Sequence, residues 1–402
     1  MALMPVAEAL QRVLADVRPL PAEMVPLNDA FARVLTQDMR ALRTQPPTAI
    51  SAMDGYAVRA DDIAAAPVTL KVIGEVAAGR PFDGEIGRGQ AARIFTGGVM
   101  PRGSDTVVIQ EHTTRDSDTV RIEKPISKKR NVRSQGIDFA SEQTLLRRGH
   151  RLTSRDLMLA AAMNHSGVSV HRQPKVALLG TGDELVPPGS QPGPGEIVYS
   201  NGFAINAAAR SEGAEVRDLG IARDRIEDIV AAVRRAQDWN ADILVTSGGA
   251  SVGEHDLVQR ALTTQGLDLS FWRVALRPGR PMMHGRLGAM QVLGVPGNPV
   301  SSFVCAFLFL VPLIRRMAGR QDVESAPQSA RLGCDLPAND ERQDYLRATL
   351  SPGTNGQIAT PLPDQDSSLM APLAKADCLL IRAPYAPAAA AGSDCVIIKL
   401  GL

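Results

Sequence analysis

From residue 174 to about 325, strand-forming runs alternate with helix-spaced ones, and this alternation limits the possible folds more than any other feature. KVALLGTGDEL, VRDLGIARD and ADILVTSGG are short apolar runs that end in loops of glycine, serine or acid. NGFAINAAARSEGAEV, DRIEDIVAAVRRAQ and DLVQRALTTQG lie between or after them with helical spacing, Asn201 opening the first and Asp224 placed to cap the second. Further strands are expected around 269–276 and 289–295, followed by PGNPVSS. Such a succession predicts a doubly wound α/β domain. Ligands of these sheets collect outside the carboxyl ends of the strands, where the polar loops fall.

The flanks read differently. VTLKVIGEV, AARIF, DTVVIQE and TVRIEKPI, between 67 and 125, predict a small β unit. A second is predicted after Ala326, from ARLGCDL, DYLRATL, QIATPLP, DCLLIRAP and DCVIIKL. Helices are expected at 5–17, 27–40 and 153–164, the last with Thr153 as its N-cap. Val300 to Ile314 is the greasiest stretch. It is short for a bilayer, contains Pro312 and is closed by Arg315 and Arg316, so a buried helix is expected and no membrane partner. Met1 to Leu20 carries Glu8 and Asp16 without a long apolar run, unlike a signal peptide.

Charge is balanced, 44 Lys+Arg against 43 Asp+Glu, and the aromatic share is 4%. Both argue against a nucleic-acid partner, which calls for a basic excess or stacking platforms. Cys305, Cys334, Cys378 and Cys395 form no CxxC pair, and the six histidines have no HxH or HExxH spacing. Free thiols in a reducing cytoplasm fit this pattern, and a zinc site does not.

Three loops at strand ends carry the chemistry. In Gly180–Glu184, glycines such as Gly182 let backbone amides approach an anion, while Asp183 and Glu184 put acid at the same rim. That pairing makes sense if Mg²⁺ bridges carboxylate and phosphate oxygens, and a tight turn is the alternative. The loop Ser247, Gly248, Gly249, Ala250, Ser251, Val252, Gly253 leads through Glu254 and His255 to Asp256. Amides and hydroxyls there suit a phosphate at a helix N-terminus. It is neither GxGxxG nor GxxxxGK[ST], so neither a Rossmann dinucleotide site nor a P-loop follows. Pro296, Gly297, Asn298 and Pro299 form a stiff loop ahead of Ser301 and Ser302, suited to an oxyanion or to a structural turn. Asp183, Glu184, Asp224 and Asp256 together suggest one cation-assisted phosphate site. In FWRVALRPGRP, strand alternation puts Arg273 and Arg277 on one face, a receptor for a tetrahedral anion, with Arg280 close by.

SAMDGYAV, IFTGGVMP, TGDEL, SGGASVGEHD, FWRVALRPGRP and GVPGNPVSS occur in this order. The ordered set resembles the MoeA family of molybdopterin molybdenumtransferases, related to plant Cnx1 E domains and the gephyrin E domain, from about residue 5 to 400. The resemblance implies an elongated homodimer of four-domain subunits: 1–46 with 141–172, a β-rich 47–140, an α/β 173–325 and a barrel-like 326–402. It implies transfer of molybdenum from molybdate into adenylylated molybdopterin, with Mg²⁺-dependent hydrolysis of the phosphoanhydride and release of AMP. It also implies exchange with a molybdopterin adenylyltransferase and with maturation proteins of molybdoenzymes.

By position, the resemblance marks Asp54, Thr96 and Asp138 in a domain that reaches across the dimer, and Glu184, Asp224 and Asp256 as catalytic or metal-binding acids. It also marks Pro296 and Pro299 in the rigid loop, and Arg347 and Ser367 as anion contacts. The family usually carries Lys where Arg273 and Arg277 stand, so charge is kept while hydrogen-bond geometry changes. After Ser367, Ser368 and Ala371-Pro372 replace the family's glycine and serine pair. Two other functions share parts of this pattern. An adenylyltransferase of the same α/β fold is typically one compact domain, and a gephyrin-like scaffold uses a further domain and linker.

Overall fold

The computed structural model describes residues 3–248, 257–354 and 356–401. In its central sheet the strands are β1 (Lys175–Thr181), β2 (Glu215–Ala222), β3 (Ile243–Ser247), β4 (Asp268–Phe271), β6 (Met283–Leu287) and β7 (Met290–Val295). A two-residue strand β5 (Leu276–Arg277) leaves this sheet for another. The order is β2-β1-β3-β7-β6-β4, parallel from β2 to β7 and antiparallel at the β6 and β4 edge.

Successive side chains of a strand face opposite sides, and both sides are covered here. Val176, Leu178, Ile243, Val245, Leu293 and Val295 pack under α1 (Asn201–Ser211), α4 (Pro299–Met317) and the first helix, Val6–Leu14. Ala177, Leu179, Leu244 and Val292 pack under α2 (Ile226–Asp238) and α3 (Leu257–Thr264). Two-sided burial is why these strands read as unbroken apolar runs. Helix α4 is long and apolar enough to cross a membrane, yet 83% of its apolar window is buried in this core. Its widened turn Ala306–Leu310 lies just before Pro312, which has no N–H to give a regular helix.

The last 75 residues close a barrel. Strands β8 (Gln328–Leu332), β9 (Gln343–Gly353), β10 (Gly356–Pro361), β11 (Cys378–Arg382) and β12 (Asp394–Lys399) pair in the order β9-β10-β8-β12-β11, and β11 returns to β9. The stray β5 adds to β9, with Leu276 opposite Gln343 and Arg277 opposite Asp344. The α/β unit is thereby stitched to the barrel.

Ahead of the central unit, a six-stranded sheet runs Thr106–Ile109, Gly55–Val58, Gln90–Ile94, Val68–Val76, Thr119–Ile122, Thr113–Asp116. A further unit joins distant parts of the chain. Ala22–Pro26 pairs with Gly167–His171, and Met39–Arg40 with Thr144–Leu146. The helix Ser154–Ala162 starts from Thr153 with a capping box, in which Asp156 accepts the Thr153 backbone N–H and hydroxyl at 2.7 Å each.

Four expectations change. Residues 27–40 hold only a short 3₁₀ turn, Leu27–Asp29, and a two-residue strand, because the segment pairs with distant strands instead of coiling. The strand expected at 269–276 breaks after Phe271, and Met283–Leu287 is a strand the reading passed over. Helix α2 starts one residue later than expected, with Arg225 as N-cap, while the Asp224 backbone N–H turns to Asp183 Oδ1 at 3.3 Å.

Arg347 in β9 is the largest fully buried side chain, 1% exposed. It donates to Gln365 Oε1 and to the carbonyls of Asp366 and Asp364 at 3.3, 2.9 and 3.1 Å. Arg347→Ala strands these acceptors and should cost about 2–3 kcal/mol, read as a lower denaturant midpoint. Arg347→Lys should recover only part of it, since a single ammonium lacks the guanidinium's fork.

Candidate functional site

A cavity of about 530 Å³ lies at the carboxyl ends of β1, β3 and β7, against the amino ends of α1 and α4. Glycines shape it. Gly248 has φ +98°, and a Cβ there would come within 2.3 Å of the Thr181 carbonyl oxygen. Gly182 has φ +149°, and a Cβ there would meet Glu184 Oε2 at 2.5 Å, so the carboxylate lies against bare backbone. Tyr199 packs on Gly180 and Gly202 as part of the wall, and its burial pushes the phenol's pKa up.

Asn201 ties the loops together. Its Nδ2 donates to Ser247 Oγ at 2.9 Å and to the Gly297 carbonyl at 2.7 Å. Asn298 Nδ2 donates to Ser367 Oγ at 2.8 Å, and the Val300 N–H donates to the Ser367 carbonyl at 3.0 Å. The barrel loop held by Arg347 is thus docked on α4, and it brings Ser368 and Met370 to the cavity rim.

The cap position of α1 leaves its first amides without a side-chain partner, whereas α4 opens on Pro299, which has no N–H, and its Val300 N–H is taken by the Ser367 carbonyl. Ser200 Oγ contacts Met370 Sδ at 3.4 Å, and the Asn298 side chain is occupied by Ser367. Uncapped N-termini carry partial positive charge and attract anions. Arg280 adds a full positive charge on the lining, and Glu184 a negative one. Thr181 Oγ1 is buried there without a hydrogen-bond partner among the described residues. The arrangement suits a phosphorylated anion, with Glu184 available to a hard cation.

Of the residues marked from sequence, Glu184, Ser247, Gly248, Pro296, Gly297, Asn298 and Pro299 line the cavity. Gly249, Ser251, Gly253 and Asp256 lie outside the described residues. Asp183 and Asp224 meet at the ends of β1 and β2, where Asp183 also faces Arg223 at 4.0 Å. Ser301 is buried in the first turn of α4 and does not line the cavity. Arg273 is exposed, and its carbonyl accepts from the Met4 N–H.

Two arginines expected as anion contacts, Arg277 from strand alternation and Arg347 from the resemblance, make other contacts within this chain. Arg277 points to the barrel, where Nε meets Asp344 Oδ1 at 2.7 Å, Nη1 meets Asp340 Oδ2 at 3.2 Å and Nη2 meets Asn339 Oδ1 and Asp344 Oδ2. These carboxylates already neutralise it. The Asp340 carboxyl is held down to about 2, first by Arg342 and then by Arg277. Arg347 is a buried strut. Arg280, grouped with Arg277 by spacing alone, is the arginine of this group that lines the cavity.

Asp54, Thr96 and Asp138 are not brought there within one chain. The Thr96 N–H and hydroxyl both donate to Asp54 Oδ1 at 2.7 Å and hold that carboxyl below its usual range. Asp138 is exposed, with its N–H on the Gln45 carbonyl. Sequence reading treated Asn201 as a helix start only and passed over Tyr199 and Ser200, since nothing local marks which side chains converge from separate strand ends.

Comparison with known proteins agrees with this architecture. Residues 4–164 match the MoeA N-terminal region (domain I and II), 177–316 a "probable molybdopterin binding domain", and 329–400 the MoeA C-terminal region (domain IV). A molybdopterin molybdenumtransferase of Haemophilus influenzae is 34% identical over 366 residues, 90% of each chain. One from a Nostoc species is 35% identical over 336 residues, covering 82% of this chain and 77% of the relative. The crystal structure of a molybdopterin biosynthesis MoeA protein from Pyrococcus horikoshii superposes with a TM-score of 0.83 at 31% identity, covering 99% of both chains. A glycine-walled cavity at the strand ends, a closed terminal barrel and a discontinuous amino-terminal unit, matched nearly end to end, place this chain in the MoeA family of molybdopterin molybdenumtransferases.

Proposed function

We propose that this chain inserts molybdenum from molybdate into adenylylated molybdopterin, with hydrolysis of the phosphoanhydride and release of AMP to give molybdenum cofactor. The observation that carries this reading is the meeting of the uncapped α1 N-terminus, the bare backbone of Gly248 and Gly297, Arg280 and Glu184 around one cavity. Backbone amides bind the phosphate oxygens and fix the substrate's orientation. Arg280 holds the tetrahedral oxyanion by charge-assisted hydrogen bonds. Asn201 keeps the β3 and β7 loops at the spacing that both ligands need.

Mg²⁺ fits the donors present. Among the described residues no three acids, cysteines or histidines form a closed cluster, but Mg²⁺ needs only one or two carboxylates besides phosphate and water. Glu184 on the rim and Asp183 beside Asp224 are the carboxylates that would hold it. When bound, it supplies neutralisation of the anhydride's charge.

Asp54, Thr96 and Asp138 lie away from the cavity of their own chain, which supports a homodimer in which they serve the partner's. An adenylyltransferase would supply the nucleotide-tagged substrate, and maturation proteins of molybdoenzymes would take the product. The free thiols fit a cytoplasmic setting.

With adenylylated molybdopterin, Mg²⁺ and molybdate, AMP release should depend on molybdate. Pyrophosphate release from ATP and molybdopterin would instead support the adenylyltransferase reading. Arg280→Ala should raise the molybdate concentration for half-maximal AMP release about tenfold or more. An unchanged titration removes Arg280 from the oxyanion site. Glu184→Gln should slow AMP release about a hundredfold at saturating substrate. Extra Mg²⁺ should recover part of the loss if the carboxylate serves the cation.

A further inference from the structure

A second polar hollow, about 600 Å³, lies between the segment Leu145–Arg151 and the chain leaving α4 at Gln321 and Asp322. Behind it sits a buried ion cluster. The Glu212 carboxylate is 5% exposed and is held by Arg315 at 2.9 and 2.6 Å and by Arg320. Arg320 also binds Asp322, with Nε to Oδ1 at 2.8 Å. Arg151 donates to the Ser211 carbonyl at 2.5 Å and has no carboxylate partner among the described residues. Burial, first of all, and the neighbouring Arg320 push the Arg151 pKa down, against the opposite pull of Glu212 and Asp322.

Arg147 and Arg148 also line the hollow, both exposed, their guanidiniums without hydrogen-bond or ion-pair partners among the described residues. The nearby acids are otherwise engaged. Asp38 accepts the Arg148 backbone N–H at 2.9 Å, and Asp156 binds His150 Nε2 at 2.9 Å. Arg315 and Arg320 are thus paired with Glu212 and Asp322, while Arg147, Arg148 and Arg151 have no carboxylate partner among the described residues.

We propose that this hollow is a binding site for a diphosphate group, free or borne on a nucleoside, gripped by Arg147, Arg148 and Arg151. Three guanidiniums without carboxylate partners suit a group that carries about two to three negative charges, and guanidiniums give phosphate oxygens paired donors. Because the lining comes from both sides of a junction, the bound group ties the amino-terminal unit to the α/β unit. The site shares no residue with the cavity described above.

The test uses the full chain and phenylglyoxal, with modified arginines mapped by mass spectrometry. Saturating pyrophosphate or ADP should slow modification of Arg147 and Arg148 at least tenfold and leave the exposed Arg43 and Arg234 unchanged. Whichever probe protects at the lower concentration identifies the source. By calorimetry, Arg147→Ala with Arg148→Ala should weaken binding of that probe at least tenfold relative to Arg43→Ala with Arg234→Ala, which removes the same charge. Equal protection of all four arginines, equal weakening by both double variants, or protection by orthophosphate at the same concentration as pyrophosphate would overturn the assignment.

Discussion

The site depends on one side chain bridging two loops that belong to different strands. Asn201 spends both amide hydrogens on it, one on Ser247 Oγ and one on the Gly297 carbonyl. Parallel strands deliver their loops to one edge, but nothing in the ladder fixes how far apart those loops stand. Gly297 and Gly248 come close, and a Cβ on the first would lie in van der Waals contact, 3.6 Å, with the Cα of the second. An amide that satisfies both loops at once sets the cavity's width and keeps the helix ends aimed inward.

The barrel enters the site through a second chain of contacts. Arg347 orders the loop at 364–366 from inside the barrel, Ser367 receives Asn298, and Ser368 reaches the rim. Strand β5 makes a second tie to the barrel, where Arg277 is locked onto Asp344. These two arginines hold the units in register, and Arg280, three residues beyond Arg277, is left on the cavity wall. Adjacent charges of one kind thus do different work because the chain passes from one sheet to another between them.

Sequence reading found the parts that local chemistry specifies. The two-faced apolar runs at 175–181, 243–247 and 290–295 announce a covered parallel sheet, and glycine, proline and acid at their ends announce the ligand edge. The ordered motifs carried the family. Thr153 was legible as a cap because capping is a contact within four residues. The stretch at 27–40 was misread because its helical spacing was overridden by pairing with strands more than a hundred residues away. The strand at 283–287 was missed because Met-His-Gly-Arg-Leu has neither strict alternation nor a long apolar run.

Fold class, the three strand-end loops and the acids at their rim follow from the order of residues alone, since periodicity and turn chemistry act over a few residues. Which arginine lines the cavity was decided by tertiary structure. Arg273, Arg277, Arg280 and Arg347 are equivalent as letters, and only the path of the chain buries one, pairs another with two carboxylates and leaves a third on the cavity wall. The guanidinium is the same in each case; its neighbours are set by contacts between segments far apart in sequence, and those neighbours determine what its charge is free to do.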